Sequence, residues 1–195
     1  MAQTDIGSPP NDSTAGRVAF QGAPGAFSHE ACVALRPWDI AVPFATFAEA
    51  IDAVRKGDCD SALIPVENSS IGVVEPAATL VRESGLPVVA EVWRPIRMAL
   101  MAVPGATLGG LRTIESHPAA LRQCSQALAE LRLETVEAFD TAGAARDIAE
   151  AGDPSRAALA PMAAAEVYGL SILRNDLQDS ADNRTLFVLL SADAG

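Results

Sequence analysis

Short apolar runs alternate with amphipathic segments along the chain from Arg17 onward. The apolar runs have the length and composition of β-strands, and the segments between them place apolar residues at helical spacing. The predicted strands are residues 18–20, 40–44, 61–65, 86–92, 96–103, 113–114, 134–138, 156–160 and 186–190. The predicted helices are residues 27–35, 47–55 (capped by Thr46), 74–83, 118–131, 141–151 and 161–168. This alternation predicts an α/β fold with helices on both faces of a mostly parallel sheet.

Domain organisation is indicated by two apolar runs, 86–92 and 96–103, that follow one another with Arg94 and Pro95 at the junction. Consecutive extended runs with so little between them suggest that the chain crosses there from one lobe to another. Residues 1–16 are rich in Gly, Pro, Ser, Asn and Asp and lack the basic and apolar regions of a signal peptide. That composition predicts a disordered tail and a cytoplasmic protein.

Composition and charge narrow the class of function. With 195 residues, 49% of them hydrophobic, the chain can bury a core, and no apolar run approaches the roughly 20 residues of a membrane-spanning helix. The net charge of −11, with no block of Lys or Arg, argues against nucleic acid and membranes as partners. Cys32, Cys59 and Cys124 lack metal-ligand spacing, even with His29 and His117, and are predicted to be buried free thiols.

The densest group of polar residues follows the predicted strand 61–65. Glu67, Asn68, Ser69 and Ser70 place a carboxylate, an amide and two hydroxyls together. Ligands bind at the carboxyl ends of strands in open α/β sheets, so the group predicts a small-molecule site. The alternative is an Asx turn in which Asn68 bonds its own backbone, which accounts for one of these residues.

Two further junctions lead from a strand into a helix. Residues 21–28 contain two glycines just before the predicted helix that begins near Ser28. This arrangement is typical either of an anion-binding site or of a tight turn in which Ser28 caps the helix. Ser116 is predicted to cap the helix that begins at Pro118. Beside it, His117 is either an acid or hydrogen-bond donor, or a surface residue next to a cap.

The remaining junctions are residues 140–145 and 182–187. Small residues after Thr141, beginning with Ala142, allow either a ligand to approach the backbone or the helix to pack closely on the sheet. Asn183 and Arg184 precede the last strand, and taken alone they are ordinary polar residues at the start of a strand. The strand-to-helix junctions together predict a cleft that binds a small anion.

Taken together, these motifs resemble the catalytic domain of prephenate dehydratases. The resemblance extends from about Arg17 to Leu190, and its motifs are Gly22-Ala-Pro-Gly25-Ala-Phe27-Ser28, Pro65-Val-Glu67-Asn68-Ser69, Ser116-His117-Pro118, Ala120-Leu121, Gln123-Cys124, Asp140-Thr141-Ala142, Tyr168-Gly169-Leu170 and Asn183-Arg184-Thr185-Leu186-Phe187. It implies two lobes around a cleft, similar to type II periplasmic binding proteins, with residues 17–95 and 176–195 in lobe one and 96–175 in lobe two. It also implies a homodimer. Because the chain stops after the last catalytic-domain strand, the resemblance implies no ACT domain that senses phenylalanine.

The resemblance implies conversion of prephenate, a small dicarboxylate, into phenylpyruvate with loss of CO2 and water, a step of phenylalanine biosynthesis that needs no metal or organic cofactor. From their positions in the motifs, the resemblance implies catalytic roles for Thr185, Glu67 and His117. Thr185 is expected to donate a positioned hydrogen bond to the leaving hydroxyl. The resemblance also implies a set of substrate-binding residues, which are Ser28, Asn68, Ser69, Ser116, Thr141, Ala142, Asn183 and Arg184.

Position 186 departs from the family pattern, because Leu186 stands where the family has an arginine that could clamp a carboxylate. Residues two apart on a strand face the same way, so Arg184 is hypothesised to supply the missing charge. A smaller departure is Ala26, where the family usually has threonine. Leu186 keeps an arogenate dehydratase and a prephenate decarboxylase open as alternatives, and a module that binds a small carboxylate without turnover is a third.

Overall fold

The computed structural model describes residues 15–192. They divide into two compact units, the first containing residues 15–22, 28–94 and 185–192 and the second containing residues 23–27 and 95–184. The predicted disordered tail, except for Ala15 and Gly16, lies outside the described residues. Within the described range, no helix has both the length and the apolar character needed to cross a membrane.

The first unit is built on a six-stranded sheet. Its strands are β1 (Arg17–Gln21), β2 (Ile40–Phe44), β3 (Ser61–Asn68), β4 (Gly72–Val73), β5 (Val88–Pro95) and, last in the chain, β11 (Arg184–Ser191). The strand order is β2-β1-β3-β11-β5, and β4 pairs with β3. β1 runs parallel to β2 and β3, whereas β4 and β11 run antiparallel to β3.

Three helices cover both faces of this sheet: α1 (Phe27–Leu35), α2 (Phe47–Arg55) and α3 (Ala77–Glu83). Successive side chains of a strand point to opposite faces, so Phe20 packs with α1 while Ala19 packs with α2 and α3. The predicted cap of α2 is confirmed. Thr46 Oγ1 accepts a hydrogen bond from the Glu49 N–H, and the Glu49 carboxylate accepts one from the Thr46 N–H.

The second unit is built on a five-stranded sheet in the order β10-β6-β9-β7-β8. Its strands are β6 (Ala99–Ala102), β7 (Thr113–Ser116), β8 (Glu134–Glu137), β9 (Arg156–Ala160) and β10 (Ser171–Arg174). β7 runs parallel to β8 and β9, whereas β6 runs antiparallel to β9 and β10. The predicted α/β class is confirmed, but both sheets are mixed rather than mostly parallel, because β11 and β6 run against their neighbours in the middle of each sheet.

The helices of the second unit also lie on both faces of its sheet, α4 and α5 on one and α6 and α7 on the other. They are α4 (Pro118–Gln123), α5 (Ser125–Leu131), α6 (Thr141–Ala151) and α7 (Met162–Tyr168), with a short 3-10 helix at Leu108–Gly110.

The single helix predicted over residues 118–131 is two helices that meet at Cys124. The Asp179 carboxylate accepts hydrogen bonds from the N–H groups of Ser125 and Gln126 and from the Ser125 hydroxyl. A distant residue therefore satisfies the free N–H groups of a new helix start, which no local pattern around residue 124 reveals.

The two units divide the chain differently from the predicted lobes at two segments, residues 23–27 and 176–184, and at Pro95, all of which group with the second unit. Phe27 packs against the hydrophobic core around α4 and α5. Leu177 is buried in the same core, and its N–H donates to the Met98 carbonyl. Core packing of these two side chains therefore decides where both segments belong.

The three cysteines are free and buried, as predicted. Burial raises the pKa of the Cys32 thiol to about 12, and burial followed by the nearby Asp179 carboxylate raises the pKa of Cys124 to about 12. Both side chains act as small apolar groups in the cores of their units.

Candidate active site

The polar residues that follow the apolar part of β3 form a β-hairpin. Glu67 and Asn68 still belong to β3, which the sequence predicted to end at Pro65, and both pair with β4. Asn68 Oδ1 accepts hydrogen bonds from the N–H groups of Ser70, at 2.9 Å, and Ile71, at 3.2 Å. The Asx turn is thus present, and it reverses the chain between the two strands.

The other end of the Asn68 amide reaches Thr185 on β11. Asn68 Nδ2 donates to Thr185 Oγ1 at 2.9 Å, and both residues are buried. The orientation of the amide is fixed, because a backbone N–H can only donate and the atom that faces Ser70 and Ile71 must be the oxygen. Since Thr185 Oγ1 accepts from Asn68, the hydroxyl proton of Thr185 is left to donate in another direction.

Glu67 and Leu186 face each other across the same pair of strands. Their Cα atoms are partners in the β3–β11 register, one position beyond the pair of Asn68 and Thr185. The next pair is Phe187 with Pro65, so Val66 is an extra residue on β3. Such bulges change the direction of neighbouring side chains and recur near active sites. The Glu67 side chain is exposed and Leu186 is half-buried.

Burial alternates along the start of β11, with Arg184 exposed, Thr185 buried, Leu186 half-buried and Phe187 buried. This alternation agrees with the expectation that Arg184 and Leu186 face the same way. The Arg184 guanidinium is mainly exposed, and its Nη2 lies 3.8 Å from Asp182 Oδ1.

Ser28 lies inside the first turn of α1, which begins at Phe27, and it is buried. It is therefore not the cap of that helix. The segment before it is held by the second unit, where Tyr168 Oη donates to the Pro24 carbonyl at 2.7 Å. Gly25 has φ +88°, and a Cβ there would lie 2.8 Å from the Ala164 Cα, so only glycine fits.

The prediction that Ser116 caps α4 is wrong. Ser116 is the last residue of β7, is fully buried, and donates its hydroxyl to the Leu159 carbonyl at 2.6 Å. The N-cap is His117, whose Nδ1 accepts from the Ala119 N–H at 3.1 Å. Because Nδ1 accepts, the proton of a neutral His117 ring lies on Nε2, and this exposed side chain keeps a donor.

Thr141 and Ala142 lie in the first turn of α6. The N-cap of this helix is Asp140, whose Oδ1 accepts from the Gly143 N–H at 2.6 Å. Thr141 is half-buried, whereas Ala142 is fully buried. Alanines further along the helix, Ala144 and Ala145, pack in the core against the sheet. Close helix packing therefore accounts for the alanines, and Thr141 is the residue of this turn with an accessible polar side chain.

Asn183 has a partner that sequence reasoning missed. Its Nδ2 donates to Gln123 Oε1 at 3.2 Å, and its carbonyl accepts from the Ile96 N–H at 2.8 Å. Gln123 lies in one of the motifs that resemble the family, but a glutamine within an amphipathic segment gives no local signal of such a contact. The hydrogen bond holds the buried Asn183 side chain in place two residues before Thr185.

The structure brings some of the predicted residues together within each unit. In the first unit, Glu67, Asn68 and Thr185 lie on neighbouring strands, and the exposed Ser69 follows in the hairpin turn. In the second unit, Ser116 and His117 join β7 to α4, while Asn183 contacts the end of α4. Among residues 15–192, no three His, Cys, Asp or Glu side chains are grouped as metal ligands would be.

A family model described as prephenate dehydratase matches residues 18–195, nearly the whole chain. The chain belongs to the prephenate dehydratase family. The family to which the resemblance pointed is therefore confirmed.

Relatives and solved structures agree with this membership. A bifunctional N-acyl-homoserine lactone acylase/prephenate dehydratase from Komagataeibacter europaeus is 41% identical over 89% of this chain and 62% of its own length. Arogenate dehydratase/prephenate dehydratase 2 of Arabidopsis thaliana, a chloroplastic protein, is 40% identical over 91% of this chain and 46% of its own. The chain therefore spans between about half and three-fifths of these curated relatives.

Among solved structures, a prephenate dehydratase from Arthrobacter aurescens in complex with L-Phe has a TM-score of 0.82 and 30% identity, covering 92% of this chain and 61% of that one. A structure described as GqqA, a novel type of quorum quenching acylase, has a TM-score of 0.84 and 40% identity, covering 92% of this chain and 65% of that one. The two-unit α/β architecture of this chain is therefore that of a prephenate dehydratase structure.

Proposed function

We propose that the chain catalyses the aromatising loss of water and CO2 from prephenate, giving phenylpyruvate, and so acts as a carbon–oxygen lyase of phenylalanine biosynthesis. Family membership supports the reaction class. The observation that carries the assignment of the chemistry to this chain is the buried hydrogen bond from Asn68 Nδ2 to Thr185 Oγ1.

The reaction breaks two bonds of the substrate ring. The bond from the ring to its carboxylate breaks to release CO2, and its electron pair makes the ring aromatic as the C4–oxygen bond breaks. The hydroxyl leaves as water after it takes up one proton, so the prephenate dianion and one proton give the phenylpyruvate anion, CO2 and water. The chain must therefore stabilise a leaving hydroxyl, which requires a positioned donor.

Thr185 is the donor best prepared for this task. The Asn68 amide occupies one lone pair of Thr185 Oγ1, and the Asx turn in turn fixes that amide. The Thr185 proton is then directed away from Asn68, where the leaving oxygen would accept it. Preorganised donors of this kind stabilise a transition state without reorganising during the reaction.

The remaining predicted residues take supporting roles in the proposal. Glu67 is the candidate for supplying the proton, and the catalytic role proposed for His117 is to donate a hydrogen bond from its Nε2–H. Arg184 is proposed to bind a carboxylate in place of the family arginine. The other residues proposed to contact the substrate are Ser28, Asn68, Ser69, Ser116, Thr141, Ala142 and Asn183.

The direct test is to incubate the purified chain with prephenate and to measure the enol absorbance of phenylpyruvate in base. Phenylpyruvate formed by the unaltered chain and lost in Thr185→Val supports the proposal. A non-aromatic decarboxylated product would identify a prephenate decarboxylase instead. Binding of prephenate without any product would contradict the proposal and favour a binding module. The cytoplasmic location and the homodimer stay predictions, and sedimentation of the purified chain tests the second.

A further inference from the structure

We propose that a groove beside α4, α5 and β8 binds a small organic monocarboxylate with an apolar body, and that Arg122 and Arg132 hold its carboxylate. The groove lies entirely within the second unit. None of the residues assigned to the candidate active site lines it, so the inference does not depend on the proposed function.

The groove has the size and the apolar surface of a ligand site. Its volume is about 680 Å³, and small-molecule sites span roughly 300–1,000 Å³. Its apolar side is formed by Leu121 of α4, Leu128 of α5 and Leu133, which precedes β8. Leu128 is buried in the core of the unit, and the other two leucines pack against that core. The apolar side of the groove is therefore anchored in the core.

Arg122 and Arg132 line the same groove, and both are exposed. Within residues 15–192, neither guanidinium forms an ion pair or a hydrogen bond, whereas most other arginines pair with Asp or Glu. Arg17, Arg94 and Arg112 lie near a thiol or a carboxylate instead. In a chain with 25 acidic and 14 basic residues, two unpaired cations on one groove leave a local positive charge for an anion.

The backbone of Arg132 gives an independent indication of a role for its side chain. Arg132 ends α5 in the left-handed conformation, with φ +53°. α6 and α7 end in the same conformation at Gly152 and Gly169, and glycine adopts it without strain. Strained residues of this kind concentrate at functional sites. The guanidinium of Arg132 is therefore present at a position where the helix end by itself favours glycine.

The side chains around the groove define the class of ligand. A guanidinium can donate two parallel hydrogen bonds to a carboxylate, and the leucines offer an apolar surface to the rest of the ligand. Glu137 also lines the groove, so a second negative charge on the ligand is disfavoured. A phosphate monoester carries a charge of about −1.5 to −2 near pH 7. A monocarboxylate therefore suits the groove better than a phosphate ester.

The test titrates the purified chain with 2-naphthoate and with 2-naphthylmethanol, a neutral compound of similar shape, by isothermal titration calorimetry. We expect 2-naphthoate to bind at least about tenfold more tightly, because it gains charge-assisted hydrogen bonds. Equal affinities would show that apolar contact alone holds the ligand and would overturn the inference. Tighter binding of 2-naphthyl phosphate, or no binding of 2-naphthoate, would overturn it as well.

Three variants locate the bound carboxylate. Arg122→Gln and Arg132→Gly each remove one guanidinium from the groove, and Arg97→Gln is the matched control, since Arg97 is exposed and pairs with Asp176 elsewhere in the unit. We expect the affinity for 2-naphthoate to fall by about tenfold in both groove variants and to be unchanged in the control.

Arg132→Gly also separates binding from folding. Glycine relieves the left-handed conformation, so we expect the thermal midpoint of this variant to rise while its affinity for 2-naphthoate falls. Loss of affinity in a more stable protein supports the inference, because a folding defect cannot explain it. Unchanged affinity in both groove variants, or equal losses in all three variants, would contradict it.

Discussion

Asn68 and Thr185, which lie 117 residues apart in the sequence, are joined by a buried hydrogen bond of 2.9 Å from Nδ2 to Oγ1. One amide thereby performs two tasks, since its oxygen holds a tight turn and its nitrogen orients a hydroxyl. The arrangement links the local conformation of a hairpin to the direction of the Thr185 proton. Removing the Thr185 hydroxyl is expected to affect catalysis more than folding.

Thr185→Val replaces the hydroxyl with a methyl group of nearly the same size. We expect kcat for aromatic product to fall by about 10²–10³, the effect of removing one positioned donor. Thr185→Ser keeps the hydroxyl and is the matched control, with activity well above that of the valine variant. Steady-state kinetics with prephenate measures the difference. Equal rates in the valine and serine variants would rule out the donor role.

Asn68→Asp separates the two tasks of the amide. The aspartate oxygen still accepts from the Ser70 and Ile71 N–H groups, so the turn is expected to survive. The other oxygen now accepts from Thr185, so the hydroxyl proton is directed away from the substrate. We expect kcat to fall by about 10²–10³ with little change in thermal midpoint, whereas Asn68→Ala also loses the turn and stability. A kcat for Asn68→Asp near that of the unaltered chain would contradict this role.

Gly25→Ala tests how tightly the segment before α1 packs on α7. Gly25 and Gly57 both have positive φ, +88° and +76°, but only Gly25 would bring a Cβ within 2.8 Å of a backbone atom. Gly57→Ala is expected to cost about 1–2 kcal/mol of unfolding free energy from the left-handed conformation. Gly25→Ala is expected to cost clearly more, measured by denaturant unfolding of both variants. Similar losses in the two variants would show that the segment yields without strain.

The buried thiols predict how stability depends on alkaline pH. Burial raises the pKa of Cys32 from 9.0 to about 12, so the unfolded chain releases this proton at a lower pH than the folded chain. The contribution to stability is full below pH 9 and is lost as pH rises toward 12.

Alkylation with iodoacetamide provides the measurement at a fixed pH. At about pH 8, Cys32 and Cys124 are expected to react slowly in the folded chain and readily in denaturant, because the thiolate is the reactive form. Mass spectrometry of digested samples identifies each modified cysteine. Rapid modification of Cys32 in the folded chain would show that this thiol is accessible and readily ionised.

The elements that could be predicted from the sequence are those held by local forces. α1 and α6 have the predicted ends, and α2 has the predicted cap, because apolar spacing, capping residues and helix length act within a few residues. β9 also has the predicted ends, Arg156 and Ala160. The α/β class followed from the same alternation, and family membership followed from the order of short motifs.

The features that the sequence did not reveal all depend on distant partners. The helix breaks at Cys124 because Asp179 caps α5. Ser116 does not cap α4, because its hydroxyl donates to the Leu159 carbonyl on β9. β3 continues to Asn68 because β4 and β11 pair with it. The mixed character of the sheets has the same origin, since strand direction depends on which strands become neighbours.

The sequence by itself therefore determined which residue types are available for the chemistry: a hydroxyl at position 185, an amide at 68, a carboxylate at 67 and a leucine in place of arginine at 186. Only the tertiary structure decided how they are paired, placing Asn68 opposite Thr185 and Glu67 opposite Leu186. The physical reason is the strand register, which is set by packing and hydrogen bonding along the whole β3–β11 pair and cannot be read from either segment alone.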